Sequence, residues 1–206
     1  MSNLVLDVEA FRGLSLKEAS DAFEAWVWER PQRNQGHWGP SLSRITMQDL
    51  ALYNEGLPSN GLYIFYDASG AKPVIRYVGK CTSRSFLERI PSHLESREEC
   101  WFNTLTKRAF DHLPPGNDGA APSLADASKW CLSNLSVALI PIDCGDRDPK
   151  KTKSVGLLER RLRDPKGLAP AWNTCHTKVG GNYLTDETPL VDDLLQPARE
   201  PARPVL

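Results

Sequence analysis

Gly61-Leu62-Tyr63-Ile64-Phe65-Tyr66-Asp67 and Val74-Ile75-Arg76-Tyr77-Val78-Gly79-Lys80 are the two runs on which the fold turns. Both are dense in β-branched and aromatic residues, which suit the pleated surface of a strand. Between them Asp67-Ala68-Ser69-Gly70 supplies turn chemistry, so the pair is predicted to be a β-hairpin.

Downstream, Ser85-Phe86-Leu87-Glu88 has capping-box spacing and opens a helix reaching His93. A second helix is expected over 98–110, and both should cover one face of the sheet. Residues 114–123 hold Pro, Gly and Asn that defeat regular structure, and 111–134 as a whole reads as a long loop region. The apolar continuity of 135–142 predicts a buried third strand that joins the hairpin. A basic helix follows over 152–162, with Val155, Leu158 and Leu162 inward, broken by Asp164-Pro165. Upstream, Ser15-Leu16-Lys17-Glu18 is another capping box, and Ala19, Phe23, Trp26 and Val27 recur on one helical face as far as about Arg30. Residues 31–43 form a loop, and Thr46-Met47-Gln48-Asp49 starts a short helix closed by Gly56 and Pro58. The fold class expected is α/β (α+β), a small and mainly antiparallel three-stranded sheet flanked by helices. Residues 1–57 are its N-terminal helical extension, 58–185 the core, and 186–206 an acidic, Pro-rich tail, poorly ordered beyond Leu195. No internal repeat recurs at a fixed period.

A chain of 206 residues can bury a full core as one folding unit with an elaboration. No apolar run approaches the roughly 18 residues of a membrane span. The start, Met1-Ser2-Asn3-Leu4-Val5-Leu6-Asp7, lacks the basic flank and apolar stretch of a secretory signal, so a cytoplasmic protein is expected. Five cysteines, widely spread and without a Cys-x-x-Cys pair, argue against a disulfide framework or structural zinc; nothing in the spacing asks the Cys175-His176 pair to ligate a metal. The net charge of −1 hides an uneven distribution. Over 72–108 eight basic residues face four acidic ones, 147–178 is more basic still, and the C-terminal stretch is acidic. A polyanion would be drawn to the middle of the chain, unless that charge is only a solvated face.

The tripeptides Gly61-Leu62-Tyr63 and Tyr77-Val78-Gly79 carry a resemblance to the GIY-YIG nucleases, whose name records two such tripeptides on adjacent strands. Leucine and valine stand where that name has isoleucine. Further matches follow in order: Arg89 and, four residues on, His93; then Glu159 beside the apolar stripe of a later helix; then Asn173 after a short loop. Positions i and i+4 share a helical face, but Pro91 lies between Arg89 and His93, so that helix must begin just before it or kink there. The resemblance covers 61–182.

What the resemblance implies is phosphodiester hydrolysis in DNA. Such chemistry needs an oriented water, help in removing its proton, and neutralisation of charge on the phosphoryl and leaving oxygens. Tyr63 is then the general base or water positioner, with Lys80 and His93 the candidates for easing its deprotonation. Tyr77 bonds water or phosphate, and Gly79 lets backbone and substrate approach. Arg89 sets its planar fork on the scissile phosphate. Glu159 holds Mg2+, with Mn2+ as a substitute. Asn173 fixes its loop. Arg84, Arg97, Arg160, Arg161, Arg163 and Lys166 are non-specific phosphate contacts, or a solvated face.

The expected partner is DNA, with no membrane, and a homodimer or successive nicking for double-strand cleavage. The long region 111–134 and the run Trp172-Asn173-Thr174 before Gly180-Gly181-Asn182 lean towards a restriction-type or host-defence enzyme. A structure-specific repair or recombination nuclease is the alternative, as is a catalytically inactive nucleic-acid-binding protein of the same fold. A purely structural interaction protein ranks last.

Overall fold

A computed structural model describes residues 4–29, 41–52, 56–116, 119–144, 148–164, 168–173 and 189–195. Three strands, β1 (Gly61–Asp67), β2 (Val74–Cys81) and β3 (Ser136–Pro141), form one antiparallel sheet in the order β2-β1-β3. The central β1 is buried along all seven residues, and a register irregularity between Phe65 and Tyr66 marks its pairing with β2.

Period-2 alternation sends the side chains of β1 to two separate layers. Leu62, Ile64 and Tyr66 join Val78, Ala138 and Ile140 on one face. There they meet α1 (Leu16–Trp28) through Ala19, Phe23 and Val27, and α6 (Pro149–Leu162) through Val155, Leu158 and Leu162. Tyr63 and Phe65 join Val137 and Leu139 on the other face. That face is covered by α2 (Met47–Ala51), α3 (Phe86–Ser92), α4 (Thr104–Phe110) and α5 (Leu124–Asn134). Each buried Leu, Ile or Phe contributes about 1.5–3 kcal/mol, so both layers are needed to hold a three-stranded sheet. The α+β architecture with a three-stranded antiparallel sheet agrees with the sequence reading.

The helix starts obey their caps. Ser15, Thr46, Ser85 and Ser123 each form a reciprocal capping box with an acid three residues on. The ends and gaps differ from expectation in four places. The short helix α2 stops at Leu52, which adopts a left-handed conformation with φ of 51°, ahead of Gly56. The helix expected over 98–110 begins only at Thr104. Helix α6 starts at Pro149, because Asp148 caps it and proline suits a first helical turn. The region 111–134 is no long loop. It contains the eleven-residue α5, whose inward face uses the small Ala127 and Cys131 and so shows little apolar periodicity.

The first stretch of the chain belongs to the same two layers. Leu6 N–H donates to Leu139 O at 2.8 Å and Leu139 N–H to Leu4 O at 2.7 Å, which seals the outer edge of β3. Phe11 and Phe23 enter the α6 layer, while Leu4, Leu42 and Leu50 enter the α3 layer. The described parts of this stretch, 4–29 and 41–52, thus contribute to both layers of the core. On the acidic tail, Leu190 and Val191 are buried against the α1 and α6 layer ahead of α7 (Asp192–Leu195); the expectation for order beyond Leu195 lies outside the described residues. Among the described residues no helix is long and apolar enough to cross a membrane.

Candidate active site

Glycine decides where the first tripeptide sits. Gly61 has a φ of 138°, and a Cβ there would lie 2.2 Å from Ile140 O, so only glycine starts β1 against β3. Two residues on, Tyr63 is fully buried and pairs across the sheet with Gly79. A Cβ on Gly79 would stand 2.3 Å from the Tyr63 ring and hydroxyl. The glycine expected to let substrate approach is therefore the residue that lets the Tyr63 ring lie across β2.

His93 closes α3, and Pro91 does not misdirect it. The last turn tightens, with His93 N–H donating to Ile90 O at 3.1 Å and Leu94 N–H to Pro91 O at 3.0 Å. This brings the imidazole inside, fully buried, with Nε2 at 2.6 Å from the Tyr63 hydroxyl. Tyr63, Tyr77 and His93 form one ring cluster, with centroids 5.2 to 6.3 Å apart. The His93 carbonyl in turn accepts from Thr106 N–H at 3.2 Å and Thr106 Oγ1 at 3.1 Å, which fixes α4 against α3.

Burial depresses the His93 pKa to about 3, with the Arg89 charge adding to the effect, so the imidazole is neutral near pH 7. Burial also lifts Tyr63 well above the usual phenol range. Arg89 opposes that rise by its charge and by a hydrogen bond to the phenol, and it acts on Tyr77 in the same way. Lys80 and His93 were the expected aids to Tyr63. The cation beside the phenol is Arg89, whereas Lys80 is engaged elsewhere and His93 carries no charge. His93 Nδ1 has no hydrogen-bond partner among the described residues. One proton is shared between the Tyr63 oxygen and His93 Nε2, and the imidazole tautomer sets which of the two donates.

The carboxylate arrives from the opposite layer. Glu159 projects from α6 at 9% exposure, its Oε2 at 3.2 Å from Lys80 Nζ and its Oε1 at 3.5 Å from Arg163 Nη1. Lys80 reaches it by crossing α6 at Gly156, where an added Cβ would meet Nζ at 3.1 Å. An isolated glycine inside a helix costs about 1 kcal/mol, and that penalty was the signal in the sequence that something passes close by. Tyr77 joins the two layers. Its hydroxyl, held above the usual range first by burial, feels Arg89 and Arg163 lowering it and Glu159 raising it. Tyr63, Arg89, Tyr77, Lys80 and Glu159 therefore gather around the outer edge of β2 from both faces of the sheet.

Asn173 completes that edge. Its Oδ1 accepts from Val78 N–H at 2.7 Å and its Nδ2 donates to Val78 O at 2.9 Å, reproducing with a side chain the pairing of a neighbouring strand. Trp172 N–H to Arg76 O at 2.7 Å and Ala171 N–H to Ile75 O at 3.0 Å continue the pairing. Farther along β2, Lys80, Arg84 and Arg89 line an open cleft of about 290 Å³ with Phe102 as its apolar wall.

The expected phosphate contacts divide. Arg84 lines the cleft, and Arg160 is exposed on α6. Arg97 lies apart, paired with Glu95 at 2.9 Å, and Arg163 pairs with Glu159. Arg161 is a correction: it is only 7% exposed, and its Nη1 donates to Pro189 O at 2.6 Å, so it braces the C-terminal segment. Lys166 and the Cys175-His176 pair lie outside the described residues.

Glu159 fits a cation site that draws most of its ligands from water and substrate. Magnesium is commonly held by one or two carboxylates plus phosphate oxygens. Both cation contacts of Glu159 are looser than the roughly 2.7–2.9 Å of a tight charge-assisted pair, which leaves its lone pairs competitive for a metal. Among the described residues no group of three or more His, Cys, Asp or Glu gathers as a ready-made metal cage.

No protein-family model, curated protein or solved structure matches this chain.

Proposed function

We propose that this protein is a divalent-metal-dependent DNA endonuclease with a GIY-YIG-like site, restriction-type or otherwise in host defence. The observation that carries the reading is the position of Tyr77, within the electrostatic reach of Arg89 on one side of the sheet and Glu159 on the other. A phenol, a guanidinium and a carboxylate at one strand edge are the parts that in-line attack on a phosphodiester requires.

Arg89 donates to the phosphate and neutralises charge that builds on its oxygens. In the reactive form Tyr63 has given its hydroxyl proton to solvent and stands as the phenolate, stabilised by Arg89 and by a proton on His93 Nε2; its oxygen then orients the attacking water, takes its proton and returns to the phenol. Tyr77 holds the water or a phosphate oxygen from the neighbouring strand. Lys80 and Arg163 hold the Glu159 carboxylate beside β2. Mg2+ held by Glu159, or Mn2+ in its place, supplies positive charge for the leaving oxygen when bound. One site per chain means that cutting both strands takes a homodimer or two successive nicks.

Purified protein with magnesium is expected to nick or cut supercoiled plasmid. Glu159→Ala and Tyr63→Phe should abolish cutting and keep the wild-type circular-dichroism spectrum. Equal cutting by wild type and both variants would overturn the assignment. No cutting by any of them would favour a binding protein of the same architecture.

A further inference from the structure

Trp101 is 92% exposed and Phe102 43%, on the turn between α3 and α4. A large indole held in water gains nothing from folding, and here it adjoins a built surface. The Arg84 Cζ lies 4.6 Å and the Arg89 Cζ 5.2 Å from the Phe102 ring centre. That ring forms the apolar wall of the cleft lined by Lys80, Arg84 and Arg89, three cations with no carboxylate among the lining residues. Glu98 and Glu99, two exposed carboxylates close to Trp101 in sequence, are not among the residues that line the cleft. The chemistry therefore changes along this corner, from cations suited to a phosphate at Arg89 to the Phe102 ring and its chain neighbour Trp101.

We infer that Trp101 and Phe102 form a nucleobase-stacking site, which takes the base beside the phosphate gripped by Arg89. The preferred substrate is then DNA whose base at that step is out of its stack, in a single strand, a flap or a frayed end. This placement rests on the nuclease reading, because it puts the scissile phosphate at Arg89, and within that reading it favours the structure-specific enzyme over the restriction type. Aromatic faces hold any base at similar cost, so the site selects strand structure and not sequence.

The test is binding with magnesium withheld, so that cleavage plays no part. Tryptophan fluorescence is titrated with an oligothymidylate and with a blunt duplex of equal length, for the wild type, Trp101→Ala and Trp101→Tyr. The single strand should quench the wild type more than the duplex does. Trp101→Ala should weaken single-strand affinity by roughly 5- to 150-fold with little change for the duplex, and Trp101→Tyr should restore it. Equal single-strand affinity for wild type and Trp101→Ala overturns the site, even if magnesium-dependent plasmid cutting is intact. Trp101-dependent binding without plasmid cutting retains the stacking site and removes the nuclease reading. Self-association of the wild type that Trp101→Ala abolishes, with DNA binding unchanged, makes the corner a protein contact and overturns the proposal.

Discussion

The two edges of the sheet solve the same problem with different groups. An edge strand leaves a row of backbone donors and acceptors that must find partners. On β3 the answer is backbone, from the chain's own start: Leu4 and Leu6 bond Leu139 while burying their side chains in opposite layers. On β2 the pairing passes from backbone at Ala171 and Trp172 to the amide of Asn173, and then gives way to the charged cleft at Lys80. A strand edge sealed by backbone is closed to ligands. One sealed by a single side chain can end abruptly, and that is where the candidate active site opens.

The contrast is broken most severely at the closed edge. Leu6→Ala should cost about 2–5 kcal/mol by leaving a cavity in the α1 and α6 layer, read as a lowered Tm, with cutting per folded molecule retained. At the open edge Asn173→Ala strands Val78 N–H and C=O, at about 1–3 kcal/mol. Here the loss of cutting should exceed the loss of fold, because the same strand carries Tyr77 and Lys80; unchanged activity would show that Asn173 has no part in shaping the site. The smallest effect concerns acid. The folded His93 has a pKa of about 3. Its unfolded value is near 6.5, so the unfolded chain binds the extra proton. Its contribution is complete above about pH 6.5 and declines as pH falls towards 3, by about 1 kcal/mol at pH 5.5. His93→Gln should flatten the fall in Tm over that window relative to wild type; parallel curves would mean that His93 is not held neutral.

Much of this was legible because it depends on local chemistry. The hairpin follows from β-branched and aromatic runs around Asp67-Ala68-Ser69-Gly70, and the caps at Ser15, Thr46 and Ser85 from spacing alone. Helix α5 escaped because its cap at Ser123 follows a Pro-rich stretch and its inward residues, Ala127 and Cys131, are small. Arg161 looked like its neighbours on a basic helix, and only the position of Pro189 explains its burial. The sequence pattern named Tyr63, Arg89 and Glu159, but the order of their interactions is tertiary. That Arg89 serves Tyr63 while Lys80 serves Glu159 depends on α3 and α6 packing on opposite faces of the sheet, and on the absence of a side chain at Gly156.

The closure of β3 by Leu4 and Leu6 also bears on how the protein is made. These residues leave the ribosome ahead of the strand they seal, which is synthesised only after both halves of the hairpin. Until Leu139 emerges, this segment lacks its strand partner, and afterwards β3 offers a bare edge for however long the segment takes to return. Leu4→Ala, which weakens the docking, should prolong this interval, so aggregation during expression is expected to rise with it.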